Sequence, residues 1–370
     1  MNFTKLEKFL DSLPGRGIPL CNLAVTLDGK NVYTHSVNCE DDTLFWIYST
    51  SKVSVCTAAM RLVEAGKIGL EDPVSKYIPA FGTLTLRTEA GPVPCTAPLK
   101  IVNLFTMTGG LDYDMSTPDI IAANAAQKGT VGVAEAIAKT PLHFEPGTHY
   151  KYSLCHDILG AVIEVVTGMT LAEYLRTNLF EPLGMFNTGF DPTEAQLARF
   201  APLYMYNNGT GESDPVPAIK RPYDNPNYYS GGGGLFSTTA DYIKLMNTLV
   251  LGGTSPEGYR MLKPETVALM GQNLLPENCL AEFRSGRLYG YGWGLCGRNH
   301  MNPAQSLSLS SKGEFGWDSA TCHFAGADTE KRVGFFFGTH IYGCMYGYSV
   351  LHPLIRNLVY EALGFGSFPA

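Results

Sequence analysis

The stretch from residue 45 to Gly66 places a serine and a lysine where a predicted strand meets a predicted helix. Residues 45–48, Phe-Trp-Ile-Tyr, form an apolar, aromatic run that is typical of a short buried strand. Beyond the serine, apolar residues recur at helical spacing until Gly66 provides a helix stop. Ser49 and Lys52 are three positions apart, so on the first turn of this helix their side chains share a face.

This pairing predicts a nucleophile and its base. A serine hydroxyl is a poor nucleophile until a neighbouring group takes its proton, and a desolvated lysine that is neutral part of the time can do so. Backbone N–H groups at the start of a helix also point towards incoming negative charge. The structural alternatives are a helix-capping serine for Ser49 and a surface lysine for Lys52, and the aromatic run before them disfavours the second.

The composition predicts a globular protein whose partner is a small molecule. The chain has 370 residues, of which 45% are hydrophobic and 16% are charged, enough for one large domain or two intimate ones. Its net charge of −7 and the lack of a basic run argue against binding to nucleic acid or to an anionic membrane. The N-terminal segment lacks the apolar core of a signal peptide, so we expect a cytoplasmic protein.

Cysteine and histidine patterns predict neither a metal nor a cofactor. The nine cysteines include no Cys-x-x-Cys pair, and free thiols in a reducing compartment are the simplest interpretation. His149 and His156 have no evident acidic third ligand. The four glycines at 231–234 lack the lysine that follows a phosphate-binding loop, so we interpret them as a tight bend lining a cleft.

Strand patterns lie at both ends of the chain and helix patterns lie between them. Alternating or β-branched runs near the N-terminus and in the last third predict an α+β fold with a mainly antiparallel sheet flanked by helices. Helical spacing dominates the middle of the chain. We therefore predict a discontinuous α/β domain of residues 1–70 and 225–370, an inserted, mostly helical subdomain of residues 71–224, and an active site at their junction.

Four stretches, in this order, resemble the serine β-lactamase and penicillin-binding-protein superfamily. They match best its class C β-lactamase-like branch, which includes the family VIII carboxylesterases and D-aminopeptidase relatives. The stretches are STSK at 49–52 with residues 62–74, IVNLFTMTGGL at 101–111, EPGTHYKYSL at 145–154 with 159–168 and 182–185, and GGGLFSTTADY at 232–242.

This resemblance implies the catalytic residues. Ser49 would be the nucleophile, Lys52 the base, and Tyr152, at the tyrosine of the family's Tyr-x-Asn motif, a proton shuttle. An unperturbed phenol has a pKa near 10, so we expect a hydrogen-bonded lysine to lower the pKa of Tyr152 or to share its proton. Tyr150 is the rival within the motif and is interpreted as structural. The backbone N–H groups of Ser49 and Ala320 would form the oxyanion hole.

Departures from the family pattern predict the substrate preference. Leu154 stands where β-lactamases have the asparagine of the Tyr-x-Asn motif, and leucine cannot hydrogen-bond an acylamino side chain. Trp317 takes the cationic position of the Lys-Thr-Gly strand, and the adjacent Asp318 would repel a carboxylate. Ser319 replaces the glycine that lets this strand approach the substrate. Lys312, which begins a Lys-Gly pair, is an alternative alignment for the cationic position.

These residues predict a serine hydrolase that cleaves small esters or amides through an acyl-serine intermediate, with weak or no β-lactamase activity. Substrates with uncharged or cationic groups are expected because the usual carboxylate anchor is missing. Two alternatives stay open at this point. One is a peptidase for D-amino-acid peptides, or an acyltransferase, that uses the same residues, and the other is a penicillin-binding-like sensor with little turnover.

Overall fold

The structure is a computed structural model that describes residues 1–219, 221–284 and 288–367. Its strands are β1 (Cys21–Leu27), β2 (Lys30–Val37), β3 (Phe45–Trp46), β4 (Thr85–Leu86), β5 (Val93–Pro94), β6 (Leu203–Asn207), β7 (Glu212–Val216), β8 (Phe236–Ser237), β9 (Tyr291–Gly294), β10 (Gly297–His300), β11 (Phe315–Gly316), β12 (Phe324–Asp328), β13 (Val333–Gly338) and β14 (Ile341–Tyr342). Seven of them form the main antiparallel sheet in the order β2-β1-β13-β12-β11-β10-β9.

Helices cover both faces of this sheet and fill the middle of the chain. They are α1 (Thr4–Asp11), α2 (Ser51–Glu64), α3 (Ile101–Thr106), α4 (Pro118–Ala125), α5 (Thr130–Ile137), α6 (Cys155–Thr167), α7 (Leu171–Leu175), α8 (Glu194–Leu197), α9 (Thr239–Val250), α10 (Pro264–Met270), α11 (Glu277–Phe283), α12 (Pro303–Ser306) and α13 (His352–Leu363). In the described ranges no single helix is long and apolar enough to cross a membrane, although the bent pair Cys155–Thr167 and Leu171–Phe180 meets the length and composition criteria jointly.

Strand β13 shows how the sequence places a core on each side of the sheet. Its side chains alternate, so Phe335 and Phe337 pack with α1 and α13, while Phe336 faces the opposite core. Gly334 lies two residues before Phe336 and therefore on the same face, where a Cβ atom would press against Thr26 and the backbone of α9. A glycine at this position therefore allows α9 to lie close against the sheet.

The helix that follows Ser49 is the most buried helical element near the site. All but three of the fourteen residues of α2 are buried, and the helix packs against α6. The predicted strand before it is shorter than expected, because β3 pairs with β8 only through residues 45 and 46. The chain then turns at Tyr48, which has a positive φ of 41°, and one turn of 3₁₀-helix leads into α2.

The predicted α+β class with a mainly antiparallel sheet is confirmed, and its strands come from both ends of the chain. In the last third of the chain, the sequence pattern predicts a single strand over residues 315–325. The structure has two strands there, because residues 317–323 form a turn between β11 and β12. The middle of the chain also contains more strand than expected, since the hairpin β6–β7 pairs with β14. All nine cysteines are free thiols, as predicted. The domain boundaries stay a prediction.

Buried histidines should make the fold less stable in mild acid. Burial lowers the pKa of five of the eight histidines, to about 3 for His156 and about 4 for His340. The unfolded chain, in which a histidine has a pKa near 6.5, then binds more protons, so stability is present above about pH 6.5 and falls as the pH drops below it. We expect a lower thermal midpoint at about pH 5 than at about pH 7.5.

The matched control for this prediction is His340→Asn. His340 Nδ1 lies 3.0 Å from the Ala201 carbonyl oxygen, a contact that an asparagine amide can reproduce without titrating. This substitution should reduce the difference between the two thermal midpoints. An unchanged difference would show that His340 does not contribute to the acid sensitivity.

Candidate active site

The loop at Leu235 holds the strand-to-helix junction around Ser49 on both sides. Ile47, before the serine, donates its N–H to the Leu235 carbonyl at 3.0 Å. Ser51, after it, accepts the Leu235 N–H on its Oγ atom at 3.2 Å. These two hydrogen bonds leave the half-buried Ser49 at the turn between β3 and α2, on the wall of a large cavity.

Lys52 is buried beneath Ser49, with 1% of its surface exposed. Its Nζ atom donates to Ser49 Oγ at 3.2 Å and also to the Gly232 carbonyl. A longer contact of 3.4 Å joins Nζ to the Tyr113 hydroxyl. The structure thus places the predicted base within hydrogen-bond distance of the predicted nucleophile and surrounds it with further acceptors.

Tyr152 lies beside the same lysine, but Lys52 faces its ring rather than its oxygen. Nζ is 4.8 Å from the centroid of the Tyr152 ring, and Trp317 donates its indole N–H to the Tyr152 hydroxyl at 3.0 Å. Burial raises the pKa of Tyr152, and hydrogen bonds with Ser49 and Trp317 offset only part of that rise. The expectation that lysine lowers this pKa is therefore wrong, and Tyr152 is a neutral phenol suited to donating and relaying a proton.

The turn that carries Ala320 is held together by Ser319 and His323. Ser319 N–H donates to the His323 carbonyl at 3.0 Å, and Ser319 Oγ accepts the His323 N–H at 3.1 Å. The Tyr348 hydroxyl donates to the Ser319 carbonyl at 2.7 Å. A serine in place of glycine is accommodated because its hydroxyl bonds within the turn.

Ala320 presents the backbone group predicted for the second oxyanion donor. The residue is exposed and lies on the cavity wall together with Ser49. Its N–H makes no hydrogen bond to any residue in the described ranges. An N–H without an internal partner at this place is available to a substrate oxygen. Its role in the oxyanion hole stays a prediction.

The cavity in front of Ser49 has a volume of about 720 Å³ and a largely aromatic wall. The described wall carries no lysine or arginine side chain. Its members are Tyr48, Ser49, Tyr113, Tyr150, Tyr152, Pro222, Tyr223, Gly233, Phe283, Leu288, Trp317, Asp318, Ser319, Ala320, Tyr342 and Tyr348. Nearly all the predicted site residues thus surround one space that is large enough for a small organic substrate.

Two of the predicted substrate-binding residues need correction or refinement. Leu154 does not line the cavity: its side chain is 1% exposed in the apolar core at the start of α6, so a direct contact with substrate is not supported. Asp318 does line it, with Oδ2 3.7 Å from Nδ1 of His352. Burial lowers the pKa of His352, which leaves that imidazole neutral near pH 7.

Trp317 reaches the cavity, whereas the alternative Lys312 is exposed outside its wall.

Three residues of the site were missed by sequence reasoning. Tyr113 stacks on Tyr152 with ring centroids 5.5 Å apart, and burial raises its pKa to about 12. Gly232 accepts the lysine hydrogen bond, and Asp157 accepts the Gly232 N–H at 3.3 Å. Each lies in or within five residues of a stretch that resembles the superfamily, and that proximity was the available signal.

The described residues contain no group of three or more histidine, cysteine, aspartate or glutamate side chains that could hold a metal ion. Ser49, Lys52 and Tyr152 lie together at the cavity. The arrangement is suited to attack by a serine on a carbonyl carbon, with the developing oxyanion near Ala320.

A family model described as Beta-lactamase matches residues 6–342. The chain belongs to the beta-lactamase family. Among curated relatives, protein Rv1367c of Mycobacterium tuberculosis is 31% identical over 296 residues, which cover 75% of this chain and 73% of that protein. A Salmonella enteritidis protein provisionally named D-alanyl-D-alanine carboxypeptidase is 28% identical over 312 residues, covering 78% and 68%.

Solved structures show the same fold. EstCE1, described as a hydrolase with promiscuous acyltransferase activity, superposes with a TM-score of 0.80 at 25% identity and covers 97% of this chain and 98% of its own. The beta-lactamase-like fold of this chain is therefore shown independently of the motifs. The proteins that this chain resembles thus include a hydrolase with promiscuous acyltransferase activity and a provisionally named D-alanyl-D-alanine carboxypeptidase.

Proposed function

We propose that this beta-lactamase family protein hydrolyses small, uncharged esters through an acyl-enzyme on Ser49. The observation that carries the proposal is the 3.2 Å contact between Lys52 Nζ and Ser49 Oγ at the wall of an aromatic cavity. That contact gives the serine a base, and the aromatic wall favours apolar acyl and alcohol groups. By the resemblance, Trp317 stands where relatives that bind carboxylates carry a cation, and it lines the cavity.

In the proposed reaction, Lys52 in its neutral form takes the proton of Ser49 as Oγ bonds to the ester carbonyl carbon. The carbonyl electron pair moves onto oxygen, next to the N–H groups of Ser49 and Ala320. When the carbonyl re-forms, the bond to the alcohol breaks, and the alkoxide takes back the proton held by the ammonium of Lys52 beside Ser49 Oγ. The Tyr152 hydroxyl, which hydrogen-bonds Ser49, is placed to donate to the leaving oxygen as that proton moves. A water molecule then attacks the acyl-serine by the same steps and releases the acid.

The test compares two chromogenic esters of similar length, p-nitrophenyl butyrate and mono-p-nitrophenyl succinate. A carboxylate that loses a charged hydrogen-bond partner forgoes about 1.5–3 kcal/mol, so we expect kcat/KM to be about 10- to 100-fold higher for the neutral ester. A cephalosporin, which carries a carboxylate on a bulky ring system, should be hydrolysed more slowly than either ester. Steady-state absorbance assays measure all three.

Trp317→Lys is the matched variant, because it restores a cation without touching Ser49 or Lys52. This variant should reduce the ratio of kcat/KM for the butyrate ester to kcat/KM for the succinate ester. Faster hydrolysis of the succinate ester or of the cephalosporin by the wild-type protein would contradict the proposed preference for neutral substrates.

Acyl transfer to an alcohol is the second candidate activity, because the similar protein EstCE1 is described as having promiscuous acyltransferase activity. The aromatic cavity offers an apolar alcohol a surface that competes with water for the acyl-serine. The same assay with added 1-butanol distinguishes the two activities, since a transferase forms butyl butyrate and a strict hydrolase forms only butyrate.

A further inference from the structure

Asp157 is a buried carboxylate behind the proposed active site, on the first turn of α6. Only 1% of its surface is exposed. Its Oδ1 atom accepts hydrogen bonds from the Tyr228 hydroxyl at 2.6 Å, from the Ser230 hydroxyl and from the Gly232 N–H. Its Oδ2 atom is equally buried and receives no hydrogen bond within the described ranges. A carboxylate is costly to bury in this way unless its charge is compensated nearby.

Lys52 lies on the other side of Gly232 from this carboxylate. The ammonium donates to the Gly232 carbonyl, while the N–H of the same glycine donates to Asp157, so a single residue of backbone separates the two charges. A Cβ atom on Gly232 would collide with Oδ2 of Asp157. Glycine at this position therefore lets the backbone lie directly between the carboxylate and the lysine.

In the described part of the chain, five other titratable groups either have Lys52 as an electrostatic neighbour or turn a ring towards it. All five are uncharged near pH 7. Burial raises the pKa of the thiols and phenols and lowers that of the histidine among them. These groups are Cys56, Tyr113, Tyr152, Cys155 and His156. Asp157 is an acidic group that, in the described part of the chain, shares the partner Gly232 with Lys52. Both side chains are buried, and opposite charges interact more strongly in a weakly solvated interior than in water.

We propose that Asp157 is a positioning residue whose carboxylate, acting through the Gly232 backbone, holds the ammonium of Lys52 against Ser49. It fixes the 230–234 bend by two hydrogen bonds, with a third from Tyr228, and supplies the negative charge that keeps a buried lysine in place. This role rests on the proposed serine hydrolase function for its catalytic meaning. The charge pairing itself does not depend on turnover.

A double-mutant cycle tests the pairing without any assay of activity. Asp157→Asn and Lys52→Met are made singly and together, and urea unfolding is followed by fluorescence. If the two charges compensate each other, Asp157→Asn lowers the urea midpoint more in the wild-type background than in the Lys52→Met background. An equal decrease in urea midpoint on Asp157→Asn in both backgrounds would overturn the proposal.

The cycle stays decisive if Asp157→Asn alone does not fold. A folded double variant would then show that removing the lysine relieves the defect, which supports the pairing. A double variant that also fails to fold would show that Asp157 supports the fold independently of Lys52, which overturns it.

The pH profile of kcat/KM for p-nitrophenyl butyrate adds a readout that a purely structural role would not move. Loss of a negative charge near a cation disfavours the charged form of that cation, so the acid limb should move to lower pH in Asp157→Asn. Tyr228→Phe is the control, because it removes one hydrogen bond from Asp157 and keeps the charge. An unmoved limb in an active Asp157→Asn enzyme would contradict the positioning role.

The ester hydrolase activity and the pairing of Asp157 with Lys52 can be refuted separately. A wild-type protein that hydrolyses none of the esters would refute the proposed function, and the unfolding cycle would still decide whether Asp157 and Lys52 are paired. If the enzyme is active and the decreases in urea midpoint of the two single variants simply add in the double variant, only the pairing is refuted.

Discussion

Replacing Ser49 by alanine will reduce kcat/KM for p-nitrophenyl butyrate by about 10⁴-fold or more. The substitution removes the atom that forms the acyl-enzyme, and loss of a serine nucleophile costs several orders of magnitude while binding and oxyanion stabilisation remain. The fold should survive, because Ser49 lies half-buried at a turn and the junction is held by Ile47, Ser51 and Leu235. Steady-state rates together with thermal melting measure both effects.

Mass spectrometry of the quenched reaction gives the corresponding covalent evidence. An acyl group should appear on the peptide containing Ser49 in the wild-type protein and be absent from Ser49→Ala. Ser51→Ala is the matched control, since it removes a hydroxyl from the same segment whose role is to accept the Leu235 N–H. It should lower the thermal midpoint and keep the acylation. Equal activity in Ser49→Ala and wild type would refute the mechanism.

Replacing Lys52 by methionine will reduce kcat by about 10³-fold. General base catalysis accelerates a reaction roughly 10²- to 10⁴-fold. Among the residues that the structure describes, Lys52 has a basic side chain within hydrogen-bond distance of Ser49 Oγ. Tyr152 cannot take over as a phenolate, because burial raises its pKa and keeps the phenol protonated. KM should change little, since the lysine lies beneath the serine rather than on the cavity wall.

The control for this variant is Lys67→Met, which changes an exposed lysine soon after the same helix. It should leave kcat at the wild-type value. Lys52→Met should also lose the acid limb of the pH profile if that limb reports the lysine. A variant at Lys52 that keeps wild-type kcat would show that another group deprotonates Ser49.

Much of the fold could be predicted from local pattern. The apolar spacing after Ser49 predicts α2, and the turn at Asp28-Gly29 predicts the hairpin that the structure forms between β1 and β2. These signals are local, because periodicity and turn chemistry act within a few residues. The break between β11 and β12 was missed, since its residues are held by tertiary contacts such as the one from Tyr348.

Sequence motifs predicted the residues to which we assign the chemistry of the candidate site. They did not predict the residues that surround and support them. Ser49, Lys52 and Tyr152 belong to recognisable motifs, and the structure brings all three together. Leu154 was assigned to the substrate because of its place in a motif, yet at the start of α6 its side chain points into the core. Asp157 gave no signal by itself, because an isolated aspartate on a helix is most often a solvated residue.

The sequence by itself determined which chemistry is possible here. Spacing within one helix turn places Ser49 and Lys52 on the same face, and that relation holds wherever the helix packs. Tertiary structure decided what surrounds them. Tyr113 and Gly232 reach Lys52 from segments that are distant in sequence, and Asp157 in turn bonds to Gly232. Such approaches depend on how helices and loops pack together. Packing sets burial, and burial raises the pKa of Tyr113 and of Tyr152, so this part of the site's electrostatics follows only from the folded chain.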